Sequence, residues 1–185
     1  GPHLALLYGK EEILKKLTNQ NHEFLNDQIP YTLNPGGPNH EELVSLIGIY
    51  DYFSKLYDHH FNQNVLSIRK KIVKLNKLIS DYEEKITNPL LDYINSRKDF
   101  NLIGNKIIIN KNRAPTISIT VKNKTSKEIS NILVKNNIAT RNDNFYAWRC
   151  LKALGIDTED GVIRFSMTHY NNKEEVDRLI NILER

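Results

Sequence analysis

The sequence predicts an α+β fold, a small antiparallel sheet packed by helices and preceded by long helices. Three observations predict it. Between Glu41 and Asn88 apolar residues recur every three or four positions, the period of amphipathic helices. From about Asp99 onward, short runs of period two alternate with short helical runs, in the order β-β-α and then α-β-α. The stretch Gly161–Asn172 and its continuation read as strand, tight turn and helix.

Composition narrows the class. At 185 residues, 39% hydrophobic and 26% charged, the chain is long enough for a real core in one domain or slightly more. The net charge of +4 is spread along the chain with acidic residues inside nearly every basic stretch, so a solvated surface is expected rather than a nucleic-acid partner. The single cysteine, Cys150, excludes an intramolecular disulfide and leads us to expect a reducing, cytoplasmic setting. No apolar run approaches the ~18 residues of a membrane span, so no membrane partner is expected.

In chain order, Gly1-Pro2 has the look of a protease-cleavage scar, and Leu4–Tyr8 reads as a buried strand. Glu11–Leu17 is a short helix. Pro35-Gly36-Gly37-Pro38 must be a loop, either a plain turn or a helix start whose exposed N–H groups face a phosphate. Glu41–Phe61 is a long helix with Leu43, Leu46, Ile47, Tyr50, Phe53 and Tyr57 on one face. His59 and His60 are adjacent and diverge on that helix, so no shared metal site is expected. A second helix runs from about Val65 to Asn88, where Pro89 should stop it. Its apolar stripe suits a coiled-coil seam or a helix lying along a sheet or subunit interface equally well. Lys106–Ile109 and Thr116–Val121 read as strands, and Thr125 with Glu128 as a capping box for a helix through Val134. Cys150, on the Trp148–Leu154 helix, is expected to be buried, inert packing.

In the last strand Ile163, Phe165 and Met167 alternate with Arg164, Ser166 and Thr168. Asn172 and Glu175 then cap a helix whose stripe is Val176, Leu179, Ile180 and Leu183. A charge in mid-strand needs a partner, because burying it alone is costly. An acidic side chain or a ligand carboxylate would each suit the planar guanidinium fork, and spacing alone favours the first, a structural salt bridge.

Arg164-Phe-Ser-Met-Thr-His-Tyr-Asn-Asn-Lys-Glu-Glu-Val-Asp-Arg-Leu resembles the C-terminal signature of the class V aminotransferases, the group that contains the cysteine desulfurases. Arg113-Ala-Pro-Thr-Ile-Ser-Ile is similar to an Arg-x-Pro-Thr strand of the same family. Ile138-Ala-Thr-Arg-Asn-Asp-Asn-Phe-Tyr-Ala is similar to the loop that carries the sulfur-accepting cysteine in the desulfurases. Aligned on Arg141 and Ala147, that cysteine is replaced by Tyr146, as in a desulfurase-like sub-branch with Tyr-Ala at this place. A phenol, with pKa near 10, does not act as a thiolate does.

The resemblance implies the C-terminal portion of a fold-type-I pyridoxal-phosphate enzyme acting on a small amino acid, as a homodimer. It implies that Arg164 receives the substrate carboxylate, that Arg141 and Tyr146 lie beside it, and that Gly36 and Gly37 face the cofactor phosphate of the neighbouring subunit. Gly37 stands where the family has threonine. No residue of the chain is assigned a catalytic or metal-binding role. Gly1-Pro2-His-Leu-Ala-Leu-Leu-Tyr-Gly-Lys also resembles the family's Gly-Pro-x-Gly-x-Gly-x-Leu-Tyr stretch, a second account of Gly1-Pro2 beside a cleavage scar, with Leu4 and Leu6 in place of glycines. The Schiff-base lysine that precedes it in the family would fall three residues before Gly1. The implied division is 1–62 for the end of the large domain, 63–98 for a linking helix and 99–185 for a small C-terminal domain. The alternative is a non-catalytic dimerisation or binding module derived from that fold.

Overall fold

The structure is a computed structural model that describes residues 3–26, 28–29, 31–34, 36–61, 67–108 and 113–185. Gly1, Pro2, Pro35, Val65 and Ile109, which enter the sequence readings above, lie outside the described residues. The chain forms two compact units, Gly1–Leu75 and Asn76–Arg185.

The first unit holds α1 (Glu11–Leu14), α2 (His40–His60) and the opening turns of α3 (Ile68–Ser96). Asn39 starts α2 by accepting the Glu42 N–H on its side-chain oxygen at 2.9 Å. Tyr57 and Leu75 are its most buried side chains. Lys71 closes over the Tyr57 ring, 5.0 Å from its centroid. Ile47 and Tyr50, on the face of α2 that the sequence marks as apolar, are 60% and 48% exposed. Leu4–Tyr8 is not a strand, and Leu6, Leu7 and Tyr8 are among the most exposed large hydrophobics. The reason is local: the described residues of this unit contain no strand for the run to pair with, and an unpaired strand leaves its backbone groups unsatisfied.

The second unit is a four-stranded antiparallel sheet in the order β1-β2-β4-β3, made by β1 (Phe100–Ile103), β2 (Thr116–Val121), β3 (Arg141–Asp143) and β4 (Val162–Ser166). One face is the core: Ile117, Ile119, Ile163 and Phe165 pack with Leu133 of α4 (Ser126–Lys135) and Val176 and Leu179 of α6 (Lys173–Leu183). Both helices begin with complete capping boxes, Thr125 with Glu128 and Asn172 with Glu175, as the spacing predicts. Such caps stabilise a helix start by about 1 kcal/mol. In α6 the third fully buried apolar residue is Ile182, while Ile180 and Leu183 are only partly buried.

Two sequence expectations fail here for identifiable reasons. The helix α3 does not stop at Pro89 but continues to Ser96. Beyond that proline Leu90, Leu91 and Ile94 are at most 1% exposed, with Ile86 one turn before at 4%. Burying the three side chains beyond it, at about 1.5–3 kcal/mol each, outweighs the ~3 kcal/mol cost of an interior proline. Lys106–Ile108 is irregular rather than extended into a strand. The Asn88 side chain brackets Ile108 instead, its Oδ1 accepting the Ile108 N–H at 3.0 Å and its Nδ2 donating to the Ile108 carbonyl at 3.2 Å. That amide satisfies what a neighbouring strand would otherwise have to satisfy. The sheet's first strand is Phe100–Ile103, paired with β2 from Phe100↔Val121 to Ile103↔Ser118.

Candidate functional site

The alternation of β4 decides which way its arginine faces. Ile163 and Phe165 are buried at 0% and 2%, and Arg164 between them is half-buried on the opposite side of the sheet. Val162, on the same side as Arg164, is buried too, so that face is covered at its Gly161 end. The pairing places Ser118 of β2 and Arg141 of β3 directly opposite Arg164 on its two flanks. Directly opposed residues in an antiparallel sheet project to the same face, roughly 5 Å apart at Cβ. The open face therefore carries Arg141, Arg164 and Ser118 in one row, with Ser166 exposed one step along β4.

Among the described residues no carboxylate pairs with Arg164. Its Nε is buried and without a hydrogen-bond partner, and neither Ser166 nor Thr168 bonds to it. What it does have is an aromatic platform: the guanidinium carbon stands 3.9 Å above the centroid of the Phe145 ring. Nothing in the alternation or the charge pattern singles out Phe145. The signal that could have found it is the Asn-Asp-Asn run before it, a turn-forming composition at which β3 ends with Asp143 and the chain turns at Asn144.

The turn Asp143–Ala147 is built by Asn144. The Asn144 N–H donates to Asp143 Oδ1 at 2.6 Å, its Oδ1 accepts the Tyr146 N–H at 3.1 Å, and its carbonyl accepts the Ala147 N–H at 2.8 Å. Its Nδ2 reaches the Thr158 carbonyl at 3.2 Å. Phe145 and Tyr146 are both left-handed, with φ of 52° and 60°. Bulky side chains resist that region, at about 1–2 kcal/mol per residue. The turn is closed from below by Gly161 (φ 69°), where a Cβ would lie 2.2 Å from the Asp143 carbonyl carbon. Tyr146 itself is fully exposed. The short helix α5 (Trp148–Ala153) follows and buries only Leu151. Cys150 is exposed, contrary to the expectation of buried packing, because so short a helix covers little of itself.

Gly36 and Gly37 belong to the first unit. Gly36 has φ 92°, and among the described residues, chain neighbours aside, no atom lies within 4 Å of the place a Cβ would take on either glycine. The backbone here is open to approach.

Residues 65–179 match the model of the class-V aminotransferases. The chain belongs to that family. Over 186 aligned positions it is 26% identical to the aminotransferase-like protein FGM3 of Gibberella zeae, covering all of this chain and 42% of that protein. The chain thus spans less than half the length of that relative. In fold it is similar to the cysteine desulfurase CsdA of Escherichia coli, with a TM-score of 0.55 over 84% of this chain and 32% of that one at 19% identity. It is likewise similar to a cysteine desulfurase of Thermococcus onnurineus, with a TM-score of 0.53 over 63% and 28% at 24% identity.

Class-V aminotransferases use pyridoxal phosphate. The open backbone of Gly36 and Gly37 fits a group that approaches a phosphate through N–H donors. The same helix start works against holding the charge alone: Asn39 already caps it, and Glu41 and Glu42 put two carboxylates in its first turn. The loop can lend donors to a phosphate whose charge is met by other cations. By themselves the described residues do not make a complete site for this cofactor. Among them there is also no cluster suited to a metal ion, and no helix long and apolar enough to cross a membrane.

Proposed function

We propose that this chain is the carboxylate-receiving C-terminal part of a pyridoxal-phosphate enzyme that acts at the α-carbon of a small amino acid, working as a cytoplasmic homodimer. The observation that carries this reading is the state of Arg164. A half-buried guanidinium with no acidic partner among the described residues calls for an anion at its terminal nitrogens. Arg141, directly across the ladder, adds a second positive charge on the same face. Two like charges opposed across a ladder repel one another, and a carboxylate held between them removes the penalty. Tyr146 stands at the rim of the same turn and borders the substrate. Its phenol argues against persulfide-forming desulfuration. Gly36 and Gly37 contribute backbone donors to the cofactor phosphate of the neighbouring subunit.

When bound, the cofactor supplies the electron sink for chemistry at the α-carbon. The residues of this chain bind and orient: Arg164 fixes the carboxylate through its planar fork, and Arg141 biases the face toward anions. On this proposal the Schiff-base lysine comes from outside these 185 residues, which alone are inactive.

The test is Arg164→Lys in the complete enzyme. The variant keeps the charge and loses the fork, so amino-acid binding weakens by on the order of 2–5 kcal/mol. Folding and cofactor binding are nearly unchanged. An unchanged Michaelis constant with a lowered melting temperature would instead make Arg164 a structural residue.

A further inference from the structure

The row of cations explains why an anion binds but not why the Arg164 fork stays aimed. Arg164 is half-buried, yet a long side chain without a hydrogen-bonded partner still has rotamer freedom, and ordering it opposes binding. In this chain no hydrogen bond or ion pair among the described residues orders the guanidinium. The contact that does is the Phe145 ring, at 3.9 Å.

We propose that Phe145 is the positioning residue of the anion site, a platform on which the Arg164 guanidinium rests so that its terminal nitrogens are aimed at the ligand. This deepens the carboxylate-receiving assignment of Arg164 and rests on it. The face of an aromatic ring attracts a cation, and a guanidinium above it keeps its N–H groups in its own plane, available to a carboxylate.

The backbone supports a dedicated role. Phe145 and Tyr146 are consecutive left-handed residues in a chain where only four non-glycine residues among those described have positive φ. Strain of this kind marks places where the surrounding structure fixes a side chain for a purpose. Here it has a visible result: one ring of the pair lies under Arg164 while the other, on Tyr146, stands wholly in solvent. Asn144 holds the turn through both its side chain and its carbonyl, so the ring is delivered by a rigid element. Covering the sheet would need apolar bulk at this position but no aromatic face.

Arginine side-chain NMR on the 185-residue chain, with acetate as the probe, separates these roles. In the unsubstituted chain the Arg164 Nε–H resonance is displaced by the ring beneath it and moves again as acetate is added. Phe145→Leu keeps apolar bulk and removes the π face. It abolishes the ring displacement and raises the acetate midpoint about two- to five-fold, the size of an exposed cation–π contact. Phe145→Tyr restores both. Leu and Tyr variants that behave alike, or a Leu variant with the displacement and midpoint intact, would overturn the proposal. If acetate fails to move Arg164 in the unsubstituted chain, the carboxylate assignment fails, while the ring displacement and its loss in Phe145→Leu still decide the platform.

Discussion

Arg141 and Arg164 face each other directly across the β3–β4 ladder, two guanidinium groups on one side of the sheet with no carboxylate paired to either among the described residues. Like charges so placed cost stability in the absence of an anion. Arg141→Gln is therefore expected to stabilise the ligand-free chain, by a few tenths to about 1 kcal/mol, while weakening carboxylate binding. Urea unfolding at low and high ionic strength checks this, since salt screens the repulsion and should shrink the gain. A destabilised variant would mean that Arg141 makes an attractive contact in the fold.

Gly161 sets the spacing beneath the turn that carries Phe145. A Cβ there would meet the Asp143 carbonyl carbon at 2.2 Å and the Asn144 nitrogen at 2.6 Å, both backbone atoms that cannot swing aside. With the left-handed φ added, Gly161→Ala should cost at least about 2 kcal/mol. The loss should appear in the urea midpoint with the slope preserved. A near-neutral result would show that β3 and its turn can shift as a body.

Acid sensitivity should be concentrated at Asp99. Arg97 donates from Nε and Nη2 to its two oxygens at 2.8 and 2.7 Å, and this holds the carboxyl down at about 2 from its ordinary 3.8. A carboxyl whose pKa is lower in the folded chain contributes its full stability above the unfolded value and loses it as the pH falls through the folded one. Glu128 is lowered too, first by the Thr125 N–H, and Glu175 first by the Asn171 side chain. The stability gap between the unsubstituted chain and Arg97→Gln is expected to be small, because the pair is partly exposed, present near neutrality and closed as the pH approaches 2. A gap that stays constant over that range would sink the assignment.

Exposure of Cys150 separates two kinds of reactivity. The thiol is reachable, so iodoacetamide should label it in the folded chain. In the complete enzyme, cysteine as substrate should leave no one-sulfur adduct on Cys150, which lies on α5, four residues beyond Tyr146. Mass spectrometry that finds the adduct would make Cys150 a sulfur carrier.

Features whose cause lies within a few residues were legible in the sequence. Thr125 with Glu128, and Asn172 with Glu175, each satisfy their helix start internally, so spacing alone located both. The side of β4 that Arg164 faces follows from the alternation of Ile163 and Phe165. What depended on distant partners was not legible. The run Leu4–Tyr8 is apolar enough for a strand, yet pairing is a property of two segments. Pro89 breaks an isolated helix, and only the burial of Leu90, Leu91 and Ile94 shows why this one continues. Phe145 acquires its relation to Arg164 through the β3–β4 register, which no local pattern encodes.

The bracket that Asn88 places around Ile108 has a kinetic signature. Its amide donates and accepts at once, so among similar side chains aspartate would keep the Ile108 N–H but set a carboxylate oxygen against the Ile108 carbonyl. The Ile108 amide proton, outside any strand yet held by a residue of α3, should exchange with deuterated solvent only when the bracket opens. An irregular segment would thus carry one slow proton, a reporter on whether α3 stays helical through its proline.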